Sequence, residues 1–135
     1  MTAKGPSVNR LIAIGASAVV AAVGLLSAAP GAAAKDRDDV KVVGSCTRTS
    51  ASELKLSAED GRIEVEFEVD QNRVGVRWSV VIRRNGRIVH RAVKVTRRPS
   101  GSFTARVVTA NAAGQDRFVA TATRAGESCR AVGAF

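Results

Sequence analysis

The dominant pattern along the chain is a period of two. From Arg62 to Asp70 the sequence alternates without a break, with Ile63, Val65, Phe67 and Val69 on one side and Glu64, Glu66, Glu68 and Asp70 on the other. Successive side chains of a strand point to opposite faces, so this segment predicts a strand with one buried and one wet face. Val74 to Arg83 alternates again, with Val74, Val76, Trp78, Val80 and Ile82 inward. Asn85-Gly86 then interrupts. A two-residue type I′ turn needs positive φ at both central residues, which Asn-Gly tolerates, so Ile88 to Thr96 is expected to return alongside as a hairpin. Pro99-Ser100-Gly101 marks a further turn. Phe103–Thr109, Arg117–Thr123 and Ser128–Ala134 complete the series, and Val40–Thr47 with Leu54–Ala58 reads as a first, broken strand. Seven to eight short strands, with turn signals roughly every 8–12 residues, predict an all-β sandwich over residues 40–135. Its large core residues are expected to be Phe67, Trp78, Phe103 and Phe118.

The N-terminus breaks the pattern. Met1 to Arg10 carries Lys4 and Arg10 and no acid, Leu11 to Leu26 is uncharged and apolar, and Ser27 to Ala34 is small and helix-breaking. This three-part order predicts a secretory signal peptide over residues 1–34, processed after Ala32-Ala33-Ala34. The alternative is an uncleaved anchor, since the uncharged run is long enough to cross a bilayer. Pro30 and Gly31 ahead of the small-residue triplet favour cleavage, which leaves no stable membrane anchor and a secreted, extracellular or wall-associated protein. The junction has no Cys for a lipid, and no Arg-Arg pair precedes the apolar run. Residues 35–39 are charged and expected to be a flexible terminus.

Composition narrows the function classes. The chain has 135 residues, 45% apolar and 24% charged, in the ordinary globular range for one domain. One His and two Cys exclude a rich His/Cys metal cluster, and no cofactor is expected. With no Tyr and one Trp, an aromatic platform for nucleic acid is not expected. A domain this small buries only roughly 60–68% of the surface its unfolded chain exposes, so a covalent tie would help. Cys46 and Cys129 lie near its two ends, and in an exported protein a single internal disulfide between them is expected, ahead of free thiols or an intermolecular bridge. Such a bridge is worth about 4–5 kcal/mol in the chain-entropy picture.

Two segments resemble immunoglobulin-type domains. Trp78 sits mid-strand on an inward face, as the buried Trp of strand C often does. Asp116-Arg117-Phe118-Val119-Ala120-Thr121-Ala122 is similar to a strand F, with Phe118 in place of the usual Tyr and Ala120 in place of the antibody Cys. The resemblance implies an immunoglobulin-like or fibronectin III-like sandwich whose disulfide differs from the antibody one. The Ala-rich leader, EVEFEVDQN at 64–72, the Trp78 strand, SGSF at 100–103 and GQDRFVATA at 114–122 through Cys129 also resemble uncharacterised small secreted β-sandwich proteins of actinobacteria. That group implies no activity.

Charge supplies the functional lead. The formal net charge is +9. From Gln71 to Gln115 there is no Asp or Glu, while the window holds Arg73, Arg77, Arg83, Arg84, Arg87, Arg91, Lys94, Arg97, Arg98 and Arg106. If residues 62–70 and 74–83 form a hairpin, Glu66 faces Arg77 and the charges cancel. In an immunoglobulin-like fold the two strands lie in opposite sheets, which predicts a basic sheet face and an acidic one. The second arrangement is the expected one. Arg77, Arg83, Arg84, Arg87, Lys94, Arg97 and Arg98 are then the candidate binding residues for an anionic cell-wall polymer or a protein partner. The plain alternative is a solvated face that keeps the domain soluble.

Other features weigh less. His90, Ile88 and Lys94 share the outward face by alternation. Arg91 points inward under a strict register and could stack on Trp78, unless a bulge turns it out. Glu64, Glu66 and Glu68 lie along one strand face and imply no catalytic cleft. No catalytic pair, metal cluster or phosphate loop is visible, so a non-catalytic binding module is expected. Rival readings are a protease inhibitor using the 97–102 loop and a carrier for a small apolar ligand, which would use room left by Ala105, Ala120 and Ala122.

Overall fold

The computed structural model describes residues 39–135. The leader and the charged stretch up to Asp38 lie outside the described residues. The described chain is all-β and forms nine strands: β1 (Val40–Val43), β2 (Ser45–Cys46), β3 (Ala51–Glu59), β4 (Arg62–Asp70), β5 (Arg77–Arg84), β6 (Arg87–Val95), β7 (Ser102–Ala110), β8 (Arg117–Arg124) and β9 (Glu127–Ala134). They make two antiparallel sheets, β1-β3-β4-β7 and β2-β9-β8-β5-β6. β4 and β5 lie in different sheets, as the second charge arrangement requires.

The expected broken first strand is corrected. Residues 40–46 form two strands in two sheets, and residues 51–59 form a separate full-length strand. The break is at Gly44, where the chain passes from one sheet to the other. A Cβ there would lie 2.3 Å from Ser52 Oγ and 2.8 Å from the Arg130 carbonyl oxygen, so only glycine fits the crossing. Gly44 N donates to the Ser52 carbonyl at 2.8 Å. A further two-residue turn, Asp60-Gly61 (φ 46° and 74°), joins β3 to β4 just as Asn85-Gly86 (φ 48° and 80°) joins β5 to β6.

The inward faces of both sheets close on one core. Leu54, Leu56, Ile63, Val65, Phe67 and Val69 come from the four-stranded sheet, and Trp78, Val80, Ile82, Phe118, Ala120 and Ala122 from the other; all are at most 1% exposed. All four predicted large core residues are buried. Trp78 meets Phe103 at 6.1 Å between ring centroids with planes 53° apart, a tilted aromatic pair. Its indole N–H donates to Gln71 Oε1 at 3.0 Å. The Cys46–Cys129 disulfide is formed, with a sequence separation of 83. It joins directly opposed residues of β2 and β9 within one sheet, so it fixes the short edge strand that follows the crossover.

A bulge decides the two alternatives for Arg91 and corrects the outward placement expected for His90 and Lys94. The β5–β6 pairing shifts between Ile82 and Arg83: Ile82 faces His90 while Arg83 faces Ile88, leaving Val89 as the extra residue. His90 and Lys94 therefore pair with the inward Ile82 and Trp78, not with outward residues. Arg91 pairs with the outward Val81 and is exposed. The cation over Trp78 is Arg124, whose guanidinium carbon is 5.5 Å from the ring centroid.

Candidate functional site

The outer face of the five-stranded sheet follows from the registers. β5 presents Arg77, Ser79, Val81 and Arg83; β6 presents Ile88, Arg91, Val93 and Val95; β8 presents Arg117, Val119, Thr121 and Thr123; β9 presents Ser128, Arg130, Val132 and Ala134. Arg77, Arg83, Arg91, Arg117 and Arg130 are all exposed. None of these five side chains is paired with an Asp or Glu among the described residues. Between them Val93 is 56% exposed, and Ile88 and Val95 are each 37% exposed. The face thus combines unpaired guanidinium groups with an apolar floor that can support their aliphatic stems.

The absence of acid from this face has a specific cause. After Asp70 the chain contains two acids, Asp116 and Glu127, and both are buried. Asp116 accepts hydrogen bonds from Arg84 Nε (2.9 Å), Asn85 Nδ2 (2.7 Å) and Ala112 N (2.9 Å). Burial pushes its carboxyl up, but the hydrogen bonds from Ala112, Asn85 and Arg84, with the Arg84 charge, outweigh it and hold it below its ordinary value. Glu127 accepts from Ser50 N at 3.1 Å and from Arg124 at 3.1 and 2.9 Å. Its carboxyl is likewise raised by burial and lowered further by Ser50 and Arg124. Each acid is buried against its own arginine, so neither stands on the outer face.

The opposite face is different. β3 and β4 present Glu53, Ser57, Glu59, Glu64, Glu66, Glu68 and Asp70 outward, with Lys55 and Arg62 among them and Arg106 beside them on β7. Arg106 pairs with Glu64, and Lys55 with Asp39 (3.2 Å) and Glu66 (3.6 Å). Glu53 and Glu68 stand directly opposite each other.

The sequence-predicted basic residues do not form one patch. Arg77 and Arg83 lie on the outer basic face. Arg84 does not: its side chain turns in to Asp116, because it pairs with the inward Phe118 of β8. Arg87 stands across the hairpin from Arg84, on that same side. Lys94 is half-buried on the inward side of edge strand β6 and, with Arg97, lines a groove bounded by Val93, Val95, Phe103 and Thr104. Arg98 is exposed in the β6–β7 connection. Sequence reasoning left Arg91 undecided and missed Arg117 and Arg130, which follow the first buried acid. Their signal was present in the alternation, since both are out of phase with Phe118, Ala120, Ala122 and Ala131.

Two other places bear on the rival readings. The 97–102 loop is a braced turn: Arg97 N donates to the Ser102 carbonyl and Gly101 N to the Arg97 carbonyl, each at 2.8 Å, and Gln71 N donates to the Gly101 carbonyl at 3.1 Å. Ala105, Ala120 and Ala122 are fully buried in the shared core beside Phe67, Phe118 and Trp78. Among the described residues no group of three His, Cys, Asp or Glu is placed to hold a metal ion. No family model, curated protein or solved structure matches the chain.

Proposed function

We propose that the protein is a secreted, non-catalytic binding module that holds anionic cell-wall or extracellular polymer on the outer face of its five-stranded sheet. The carrying observation is the separation of charge: that face holds Arg77, Arg83, Arg91, Arg117 and Arg130 and no acidic side chain. Unpaired guanidinium groups attract polyanions and can grip phosphate or carboxylate through two hydrogen bonds. No aromatic side chain lies among them, so base stacking adds nothing and nucleic acid gains no special advantage.

The reading includes an immunoglobulin or fibronectin III-like identity. Its support is strand order: β3-β4-β7 and β9-β8-β5-β6 follow the A-B-E and G-F-C-C′ order of such domains, with Trp78 on the strand C equivalent and Phe118 on the strand F equivalent. β1 and β2 are then additions at the sheet edges, and the disulfide ties one of them down. Secretion is supported by the leader pattern of residues 1–34 and by the disulfide, a bond characteristic of oxidising compartments. The likeness to small secreted actinobacterial sandwich proteins belongs to the same proposal.

The test is sedimentation of the oxidised protein with whole cell wall and with wall stripped of anionic polymer, at low and physiological salt. Binding to whole wall that is lost on stripping and weakened by salt is the expected result. Equal binding to stripped wall, or none to either, overturns the reading.

A further inference from the structure

The exposed arginines of this face are not scattered evenly. Arg83 on β5 stands opposite Val119 of β8, and Arg117 lies two residues before Val119. On the other side Val81 stands opposite Arg91 of β6, and Arg83 lies two residues beyond Val81. Arg117, Arg83 and Arg91 therefore form a diagonal line across three adjacent strands, one strand over and two residues along at each step. Diagonal neighbours in an antiparallel sheet are roughly 7–8 Å apart at Cα. Arg77 and Arg130 lie off this line, at the far end of β5 and on β9.

The line has its own support. The Asn85-Gly86 turn is tied to β8: Asn85 N donates to the Arg117 carbonyl and Arg117 N donates to Asn85 Oδ1, each at 2.8 Å. Asn85 Nδ2 and Arg84 Nε both donate to the buried Asp116. One buried carboxylate thus draws Arg84 inward and locks the segments from which Arg83 and Arg117 project outward. The bulge at Val89 puts Arg91 outward on the same diagonal. Ile88 and Val119 flank Arg83 and Val81 flanks Arg91, giving the arginine stems an apolar floor.

We propose that Arg117, Arg83 and Arg91 form a track for a linear polymer with a phosphate in each repeat, gripping successive phosphates with the chain lying diagonally across β8, β5 and β6. The proposal rests on the polyanion reading and makes it specific. Each contact alone is weak, since one phosphate on an exposed guanidinium competes with water. A chain that engages one arginine presents its next phosphate to the neighbour at high effective concentration, so affinity rises steeply with length until three sites are spanned. A diffuse basic field would instead respond to total charge and treat all five arginines alike.

The test uses the oxidised protein and inorganic polyphosphate of graded length, with orthophosphate as the single-group control. Expected is weak binding of orthophosphate and a steep rise with chain length up to the length that spans all three arginines, then a plateau. Arg83→Gln, Arg91→Gln and Arg117→Gln should each weaken binding of a long chain by about tenfold or more, the loss of one charged hydrogen-bonded contact. Arg77→Gln and Arg130→Gln lower the field of the face without touching the track, so each should weaken binding by a clearly smaller factor than any of the three. Equal losses at all five positions overturn the track and leave the polyanion reading standing. No binding of any chain length by the folded wild-type protein overturns both.

Discussion

Two buried carboxylates do much to set the character of the molecule. Asp116 and Glu127 each sit against one arginine and hydrogen-bonded backbone N–H groups, Ala112 for the first and Ser50 for the second. A carboxyl held below its ordinary value in the folded state is worth stability above the unfolded-state range, and that stability drains as pH falls through the folded value. The protein should therefore lose stability below about pH 4, the ordinary range of Asp and Glu. Asp116→Ala leaves Arg84 Nε, Asn85 Nδ2 and the Ala112 N–H without their acceptor, and should cost about 3–5 kcal/mol at pH 7. Urea unfolding of wild type and variant at pH 7 and pH 3 checks both points. The gap between them should be wide at pH 7 and narrower at pH 3; an equal gap at both would show that the carboxylate charge is not the stabilising element.

At the level of elements, one glycine and one bulge redirect what alternation alone would give. Gly44 is the point where the N-terminal segment changes sheets. Gly44→Ala should destabilise the fold by about 1–3 kcal/mol, because its methyl would overlap Ser52 Oγ and the Arg130 carbonyl. Thermal unfolding measures this, and an unchanged midpoint would mean that the crossover relaxes freely. Most of the fold was legible in the sequence because period-two patterning survives in β4, β5, β7, β8 and β9, and because Asn85-Gly86 has few conformational options. The crossover was not legible: Val40 to Thr47 has no feature except Gly44 that marks a change of sheet, and a glycine carries many other meanings. The site was less legible than the fold. A one-residue bulge exchanges the faces of everything beyond it, so Lys94 and His90 went inward while Arg91 went outward. In the sequence nothing distinguishes Arg84 from a free cation, because its partner, Asp116, lies 32 residues away.

For the molecule as a whole, the consequence is polarity. The acids on the surface of the described chain lie between Asp39 and Asp70, and the four-stranded sheet presents most of them. The five-stranded sheet presents unpaired arginines among valines and an isoleucine. A partner of negative charge is steered to one face and repelled by the other. This polarity is a product of topology, since the same residues with β4 and β5 in one hairpin would have neutralised each other. The most direct measurement of the central claim is backbone amide chemical-shift mapping of the oxidised protein during addition of a linear phosphate polymer at low salt. The account predicts shifts confined to residues of β5, β6, β8 and β9 around Arg83, Arg91 and Arg117, reversed by salt. Shifts centred on β3 and β4 or on the 97–102 turn, or none at saturating polymer, would contradict it.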